Sequence, residues 1–473
     1  MTKAPLATLF VCCVTCGAVA QSAPQSASAS ASSVDAHPQT QLLNAAGQPP
    51  TNLSGGGSQR ETPNGPEESG FTIDQAVQVA LQRNRDVVAA RLDIQLAEYD
   101  RVAARLYPNP VISYQTGNLV LGRGNSGNDA PRHPGMFSQM VQTIGVSELI
   151  DIWNKRGYRT KAADEGIQYH RLLLEDVLRE VTHAVRSAFA DVLRERAQLD
   201  FTHEVAARYS DTVRLSRSRF EAGEISESEL RKIELEGLKY QNGLVDAQLE
   251  YDLARQQLAA LLALSSEAGL PATLTKPPVA PQTRTVAELT QQALRSRPDY
   301  LAVAQSRRLA QATVSAAHRE VYPDLTLGVA YTHSSFLASG DNPNAWGLAA
   351  SMPVPVFDRN QANIGRANVN LQSTENDGIR LELSIRHAVA EATRKLQRAE
   401  ALLGIYTTGG MLDRAETSLR VAERSYKTGA TSLLGLLEAQ RTYLETRDDY
   451  LRAVNDEQQS AIDLEYAVGK KLQ

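Results

Sequence analysis

The chain has 473 residues, room for two or three ordinary domains, with 49 basic and 54 acidic side chains and a formal charge of −5. So mild an acidity excludes a nucleic-acid binder, and 5% aromatic residues is low for one large compact core but usual for coiled coil. All three cysteines (Cys12, Cys13 and Cys16) fall at the N-terminus, so the rest of the chain offers no disulfide and no thiolate metal site.

Residues 1–20 read as a secretory signal. Lys3 supplies the charge, Leu6–Val19 the apolar region, and Ala18-Val19-Ala20 a small-residue cleavage site before Gln21. Lipidation at one of the cysteines is the alternative, which Cys13-Val14-Thr15 before Cys16 fits poorly. Residues 21–70 are rich in Ser, Ala, Gln, Pro, Gly and Asn without an apolar period, which predicts a disordered leader.

A first unit is expected over 71–268. Thr72 and Gln75 form a capping box, and Ile73, Val77, Ala80 and Leu81 carry one helix over Phe71–Leu106. Tyr107-Pro108-Asn109-Pro110 ends it. A β-hairpin over 111–150 follows: strand Val111–Thr116, loop Gly117–Gly135 and strand Met136–Ile150.

A helical hairpin over 155–264 comes next. Its first arm, Lys155–Glu221, would be about 100 Å long as one helix at ~1.5 Å per residue. Leu174, Leu178, Val181, Val185, Ala188 and Val192 alternate spacings of four and three, the narrow seam of a coiled coil. The pattern breaks at Gly223, and a capping box from Ser226 to Glu229 restarts it for the return arm to Leu264.

Residues 269–284 are a Pro-rich linker, and a second unit over 285–473 repeats the first. Ala80–Asp86 matches Ala293–Asp299, and Tyr107-Pro108 recurs as Tyr322-Pro323. A helix from Thr285 to Val321 is expected, then a β-hairpin over 325–356 with strands Leu325–His333 and Trp346–Val356. A helical hairpin over 361–468 follows. Its first arm is Gln361–Lys427, its seam runs from Ile385 through Val389, Ala392, Leu396 and Ala399 to Leu403, and Gly409-Gly410 loosens it locally. The tips correspond as well: Phe220–Ser226 matches Tyr426–Ser432. Such a repeat sets the fold class, mostly α with a small β part and an internal two-fold repeat.

In the third and fourth strands, Leu325, Leu327, Val329, Tyr331, Trp346 and Leu348 face one way, with small or polar residues opposite. A strand between lipid and a polar lumen shows this alternation, and so does a half-buried soluble sheet. The signal, strands of about the ~10 residues needed to cross a bilayer, and helices too long to cover a sandwich favour the membrane reading. Spanning strands must close a barrel, and four are too few, so several chains must share one.

The repeat, strand hairpins and glycine tips resemble the TolC-like outer-membrane factor family over about Phe71–Gly469. Ser351–Gln361, with Ile364 and Ala367 behind it, and Ile150–Arg156 are similar to the branch that includes the CzcC-type cobalt–zinc–cadmium efflux proteins. The resemblance implies a homotrimer with a 12-stranded outer-membrane β-barrel and a periplasmic α-barrel. It further implies a periplasmic membrane-fusion adaptor and an inner-membrane pump of the resistance–nodulation–division type as partners, outer-membrane lipid around the strands, and heavy-metal cations as cargo. Multidrug or type I secretion channels are the alternative within the class. A soluble periplasmic coiled-coil adaptor is the alternative from another class.

The resemblance also assigns the tips. Adaptor docking falls to Gly223, Glu224, Ile225, Ser226, Gly429, Ala430, Thr431 and Ser432. The pore aperture falls to Glu438, with Gly435 at a second ring position that this chain leaves without an acid. Glu229 matches a closing contact with Tyr426, although Glu229 is equally accounted for by its capping box. Thr431 stands where the family's lock carries an arginine. No enzyme motif, cofactor site or metal site is expected. The eight histidines (37, 133, 170, 183, 203, 318, 333, 387) show no metal-ligand spacing, and His387 with Glu391 reads as a surface pair.

Overall fold

The computed structural model describes residues 72–117, 140–265, 284–335 and 342–471, all within one compact unit, Glu67–Gln473. The expected signal, leader, first loop and nearly all of the linker lie outside the described residues. Among the described residues, no helix is long and apolar enough to cross a membrane.

Each repeat opens with two helices where one was expected. In the first, α1 (Ile73–Arg83) and α2 (Arg85–Arg105) are separated by Asn84. Its backbone is extended (ψ 135°) and its side chain accepts the Asp86 N–H, so it caps α2 and interrupts the run. In the second repeat, the break between α5 (Val286–Ser296) and α6 (Pro298–Arg319) falls at Arg297. Pro298 forces the residue before it out of the helical region and then serves as the first helical residue.

Four strands form one antiparallel sheet in the order β1 (Val111–Gly117), β2 (Val141–Ile150), β3 (Leu325–Ser334) and β4 (Asn344–Ser351). β4 stops at Ser351 instead of reaching Val356, because Pro353 and Pro355 lack the amide hydrogens a ladder needs. The register aligns whole rows of side chains: Ile112, Val146, Val329 and Leu348 form one row, and Tyr114, Ile144, Tyr331 and Trp346 the next. All eight are at least partly exposed. The opposite face carries Ser113, Gly145, Ala330 and Gly347 in one row, with a Thr143–Thr332 hydroxyl contact of 3.0 Å beside it.

β2 feeds α3 (Lys155–Glu221), a single 67-residue helix. The entry is a left-handed residue, Asn154 (φ 57°). The Asp151 carboxylate replaces the missing side-chain cap by accepting the N–H groups of Trp153, Lys155 and Arg156. Trp153 stacks on Tyr322 at 4.9 Å and donates its indole N–H to the Pro323 carbonyl, while the buried Lys155 ammonium sits 2.9 Å from Asp324. These contacts fasten the foot of the sheet to the helices.

α3 lies against α2 and α6 near the sheet, and against α4 (Glu227–Leu261) and α9 (Leu433–Val468) farther on. Its counterpart in the second repeat is not continuous. α7 (Gln361–Tyr406) and α8 (Met411–Lys427) are divided where Gly410 adopts φ 68°.

The seam between α3 and α4 is apolar and includes Val185, Phe189, Val192, Tyr251 and Leu258. The seam between α3 and α9 is apolar toward the tips, where Phe201 meets Tyr443 edge-on with ring centroids 6.1 Å apart, and polar nearer the sheet. His183 meets Asp463 at 2.8 Å, Arg186 pairs with Glu465, and the Gln459 amide donates to the Ser187 carbonyl and to Asp191, both at 3.0 Å.

Candidate functional site

The ends of the helical hairpins farthest along the chain from the strands are two tips built alike. After α3, Gly223 takes φ 79°; its N–H donates to the Phe220 carbonyl, and the Glu224 N–H donates to the Arg219 carbonyl. After α8, Gly429 takes φ 74°; its N–H donates to Tyr426 and the Ala430 N–H to Ser425. Both are Schellman stops, which need a left-handed residue just past the helix and so favour glycine.

The restarts differ. At the first tip, Ser226 and Glu229 exchange bonds in a full capping box: the Glu229 N–H donates to the Ser226 hydroxyl at 3.2 Å, and the Ser226 N–H donates to the Glu229 carboxylate at 3.1 Å. At the second, Ser432 caps alone, accepting from the Gly435 N–H at 3.4 Å. Gly435 is the repeat counterpart of Glu229, so the second tip has half a box.

Glu229 is therefore held at its own cap. Tyr426 is buried, with its hydroxyl 3.4 Å from Ser216, and among the described residues no bond joins the two. A residue that pattern reading passed over links the tips instead. Arg219 donates to the Tyr426 carbonyl at 3.1 Å, lies 2.9 Å from the Glu224 carboxylate, and sits over the Tyr426 ring. A cation at the last carbonyls of a helix opposes the negative end of its dipole. Its place one turn before Gly223 was visible in the sequence; its reach to the other hairpin was not.

Gly223, Glu224, Ser226, Gly429, Ala430 and Ser432 are exposed, and Ile225 and Thr431 half-buried. Glu438 is exposed on α9, on the stripe that also carries Leu434 and Arg441. Among the described residues it has no ion pair. A file of exposed charge beside buried Leu433 and Leu436 gives α9 one face turned away from its own chain.

Nearer the sheet, a second polar knot closes the helix ends. Arg297 is buried, donates to the Ala467 carbonyl at 2.9 Å, and forks onto Asp299 at 3.0 and 2.6 Å. Arg179 approaches the same carboxylate at 3.6 Å. Burial alone would raise the Asp299 pKa, but the Arg297 fork and the Arg179 charge outweigh it and hold the carboxyl below its ordinary value. Among the described residues, no group of three or more His, Cys, Asp or Glu side chains could hold a metal ion.

Comparison with known proteins gives a consistent picture. The family model for outer membrane efflux proteins matches residues 76–264 and 289–470, one match per repeat. The cobalt-zinc-cadmium resistance protein CzcC of Cupriavidus metallidurans is 26% identical over 411 residues, covering 85% of this chain and 90% of that protein. The pyoverdine export outer membrane protein OpmQ of Pseudomonas putida is 24% identical, covering 84% and 85%. A crystal structure of CusC superposes with a TM-score of 0.68 at 20% identity, over 84% of this chain and 92% of that one.

Proposed function

Because the chain belongs to the outer membrane efflux protein family and resides in the outer membrane, we propose that three copies close one channel that carries divalent metal cations out of the cell. The observation that carries this reading is the set of free edges. Among the described residues, β1 and β4 each have one unpartnered side, and the sheet's large apolar rows are exposed. Backbone groups in lipid must be paired, so β4 of one copy has to meet β1 of the next. Twelve strands would then surround a lumen lined by the small, polar face.

The helices support the same closure. α2 and α4 lie at one side of the chain and α7 and α8 at the other. α2 exposes Leu92, Leu96, Tyr99 and Val102 at helical spacing, and α7 exposes Val369, Ile379 and Leu383. A heterologous contact of this kind closes into a ring when the rotation fits. The tips at Gly223 and Gly429 then form the far end of the tunnel, where a periplasmic adaptor and an inner-membrane pump of the resistance–nodulation–division type engage. Glu438 lines the aperture, where three like charges favour cations. Among the described residues no cluster of His, Cys, Asp or Glu could hold a metal ion, and in this reading selection belongs to the pump.

Metal cargo draws support from the similarity to CzcC, a cobalt-zinc-cadmium resistance protein; OpmQ, a pyoverdine export protein, supports organic cargo instead. Deleting the gene decides between them. The expected result is hypersensitivity to zinc, cobalt or cadmium with unchanged tolerance of dyes, antibiotics and siderophore load; the reverse pattern reassigns the cargo and leaves the channel standing. A mass in detergent of one chain instead of three would remove the channel itself.

A further inference from the structure

On the three-chain barrel read above, we propose the register in which the copies join: Ser351 of β4 lies opposite Ser113 of the partner subunit. The edges limit the choice first. The Ser335 N–H donates to the Met140 carbonyl and the Ser334 N–H to the Pro343 carbonyl, each at 2.9 Å. Backbone groups alternate sides along a strand, so even-numbered residues of β2 face β3 and odd-numbered residues of β4 face β3. The free N–H groups therefore belong to even residues on both edges: Ile112, Tyr114 and Thr116 of β1, and Trp346, Leu348 and Ala350 of β4. Pro353 and Pro355 are odd, so their missing hydrogens do not fall on the joining edge and Met352 still presents an N–H to it. Pro110 is even and marks where pairing on β1 ends.

The repeat then fixes the register. Tyr107-Pro108 precedes β1 as Tyr322-Pro323 precedes β3. A one-residue turn follows β2, with the Ile152 N–H donating to the Ile150 carbonyl at 3.1 Å. The same turn follows β4, from the Val356 N–H to the Val354 carbonyl at 2.8 Å. These landmarks carry Val111 to Thr326 and Ser147 to Ser351. Val111 pairs with Ser147 and Thr326 with Ser351, so the equivalence converts one hairpin into the other without slip.

The same conversion turns the β2–β3 ladder into the joint between copies. Ser147 opposite Gly328 becomes Ser351 opposite Ser113 of the partner subunit, and Glu148 opposite Leu327 becomes Met352 opposite Ile112 of the partner subunit. Following pairs across one chain from Val111 through Ser147, Gly328 and Ala349 then arrives at Gln115 of the partner subunit, four residues along. Three copies accumulate a stagger equal to the number of strands. That is the ratio of the eight-stranded barrel of shear eight, whose strands tilt by about 36°, within the usual range for outer-membrane barrels.

The test is disulfide trapping in the full-length protein in outer membranes. Ser351 and Ser113 would form a non-hydrogen-bonded pair with Cα atoms about 4.5 Å apart, within disulfide reach, whereas a two-residue diagonal is about 7–8 Å. Combining Ser113→Cys with Ser351→Cys should give reducible inter-chain cross-links that neither single variant gives. If Ser351→Cys is trapped instead with Gln115→Cys or Gly117→Cys, the register is overturned and the three-chain barrel stands. If none of the three pairs cross-links, the register is overturned, and a monomeric mass in detergent alongside that result overturns the barrel too.

Discussion

Asn84 and Arg297 occupy equivalent positions in the two repeats and do the same job by different means. Each reaches back to the end of its long return helix: the Asn84 amide donates to the Leu261 carbonyl at 3.2 Å, and the Arg297 guanidinium to the Ala467 carbonyl at 2.9 Å. The amide does this with one neutral bond. The guanidinium adds a fork onto Asp299, which in turn faces Arg179 on α3 of the other repeat. The tips differ in the opposite sense, with a full capping box in the first repeat and half of one in the second. The first repeat thus secures its tip, and the second its belt. A duplicated unit need not be stabilised at the same places, because each copy meets different neighbours.

The largest effect is expected at the belt. Arg297→Ala would take the fork from the half-buried Asp299 and the donor from the Ala467 carbonyl, at a cost of about 2–3 kcal/mol. Asn84→Ala should cost about 1 kcal/mol, the worth of one neutral bond and a cap. Helix unfolding of the detergent-solubilised protein, followed by circular dichroism, measures both; equal losses would erase the distinction between the repeats. Asp299 adds a pH signature. Its folded pKa lies below the ordinary 3.8, so its contribution is complete above that value and is lost as pH falls through the folded one. The penalty of Asp299→Asn should therefore be full at pH 7 and shrink in acid below about pH 4. A penalty that does not change with pH would show that the carboxylate charge is idle.

The next effect belongs to the tips. Ser226→Ala removes the hydroxyl that accepts the Glu229 N–H, leaves only the backbone half of the box, and should cost about 1 kcal/mol locally, while Ser432→Ala removes one longer bond and should cost less. Hydrogen exchange at the first turns of α4 and α9 reads the two separately. Faster exchange after Ser432→Ala than after Ser226→Ala would reverse the ranking of the tips.

The smallest effect is electrostatic. Glu438 in the second repeat stands where the first has Lys232. One charge about 8 Å from a passing ion in water is worth ~0.5 kcal/mol; the three of a ring add to about 1.5, which screening over one Debye length at physiological salt cuts back to ~0.5 kcal/mol, roughly a factor of two. Glu438→Gln should lower cation preference in planar bilayers by about that factor, whereas Lys232→Gln should leave it unchanged. No change from the Glu438 variant would make it an ordinary surface acid.

Much of this was legible because it is periodic. The 4-3 spacing along α3 gave its 67 residues, and Leu325–Tyr331 and Trp346–Leu348 announced which side of the sheet is apolar. What periodicity concealed were single residues that end a run. Asn84 caps a helix from inside a helical pattern, and Arg297 yields to Pro298, a signal present in the sequence but outweighed by the pattern around it. The overshoot of β4 has the same origin, since alternation continues through Pro353 and Pro355 while hydrogen bonding cannot. Arg219 was hidden for another reason: its partner is a backbone carbonyl 207 residues away, to which no local pattern points.

Among the described residues, α3 is the one helix that runs from the foot of the sheet to a tip without a break, whereas its counterpart is divided at Gly410. Lys155 and the Trp153 stack clamp its upper end, and Arg219 grips the second hairpin near its lower end. In mechanical terms it is a strut with both ends fixed, about 100 Å long at ~1.5 Å per residue. A torque applied at the tips would travel up this strut to the membrane. In the second repeat the same torque meets a joint at Gly410 and can be absorbed as a bend.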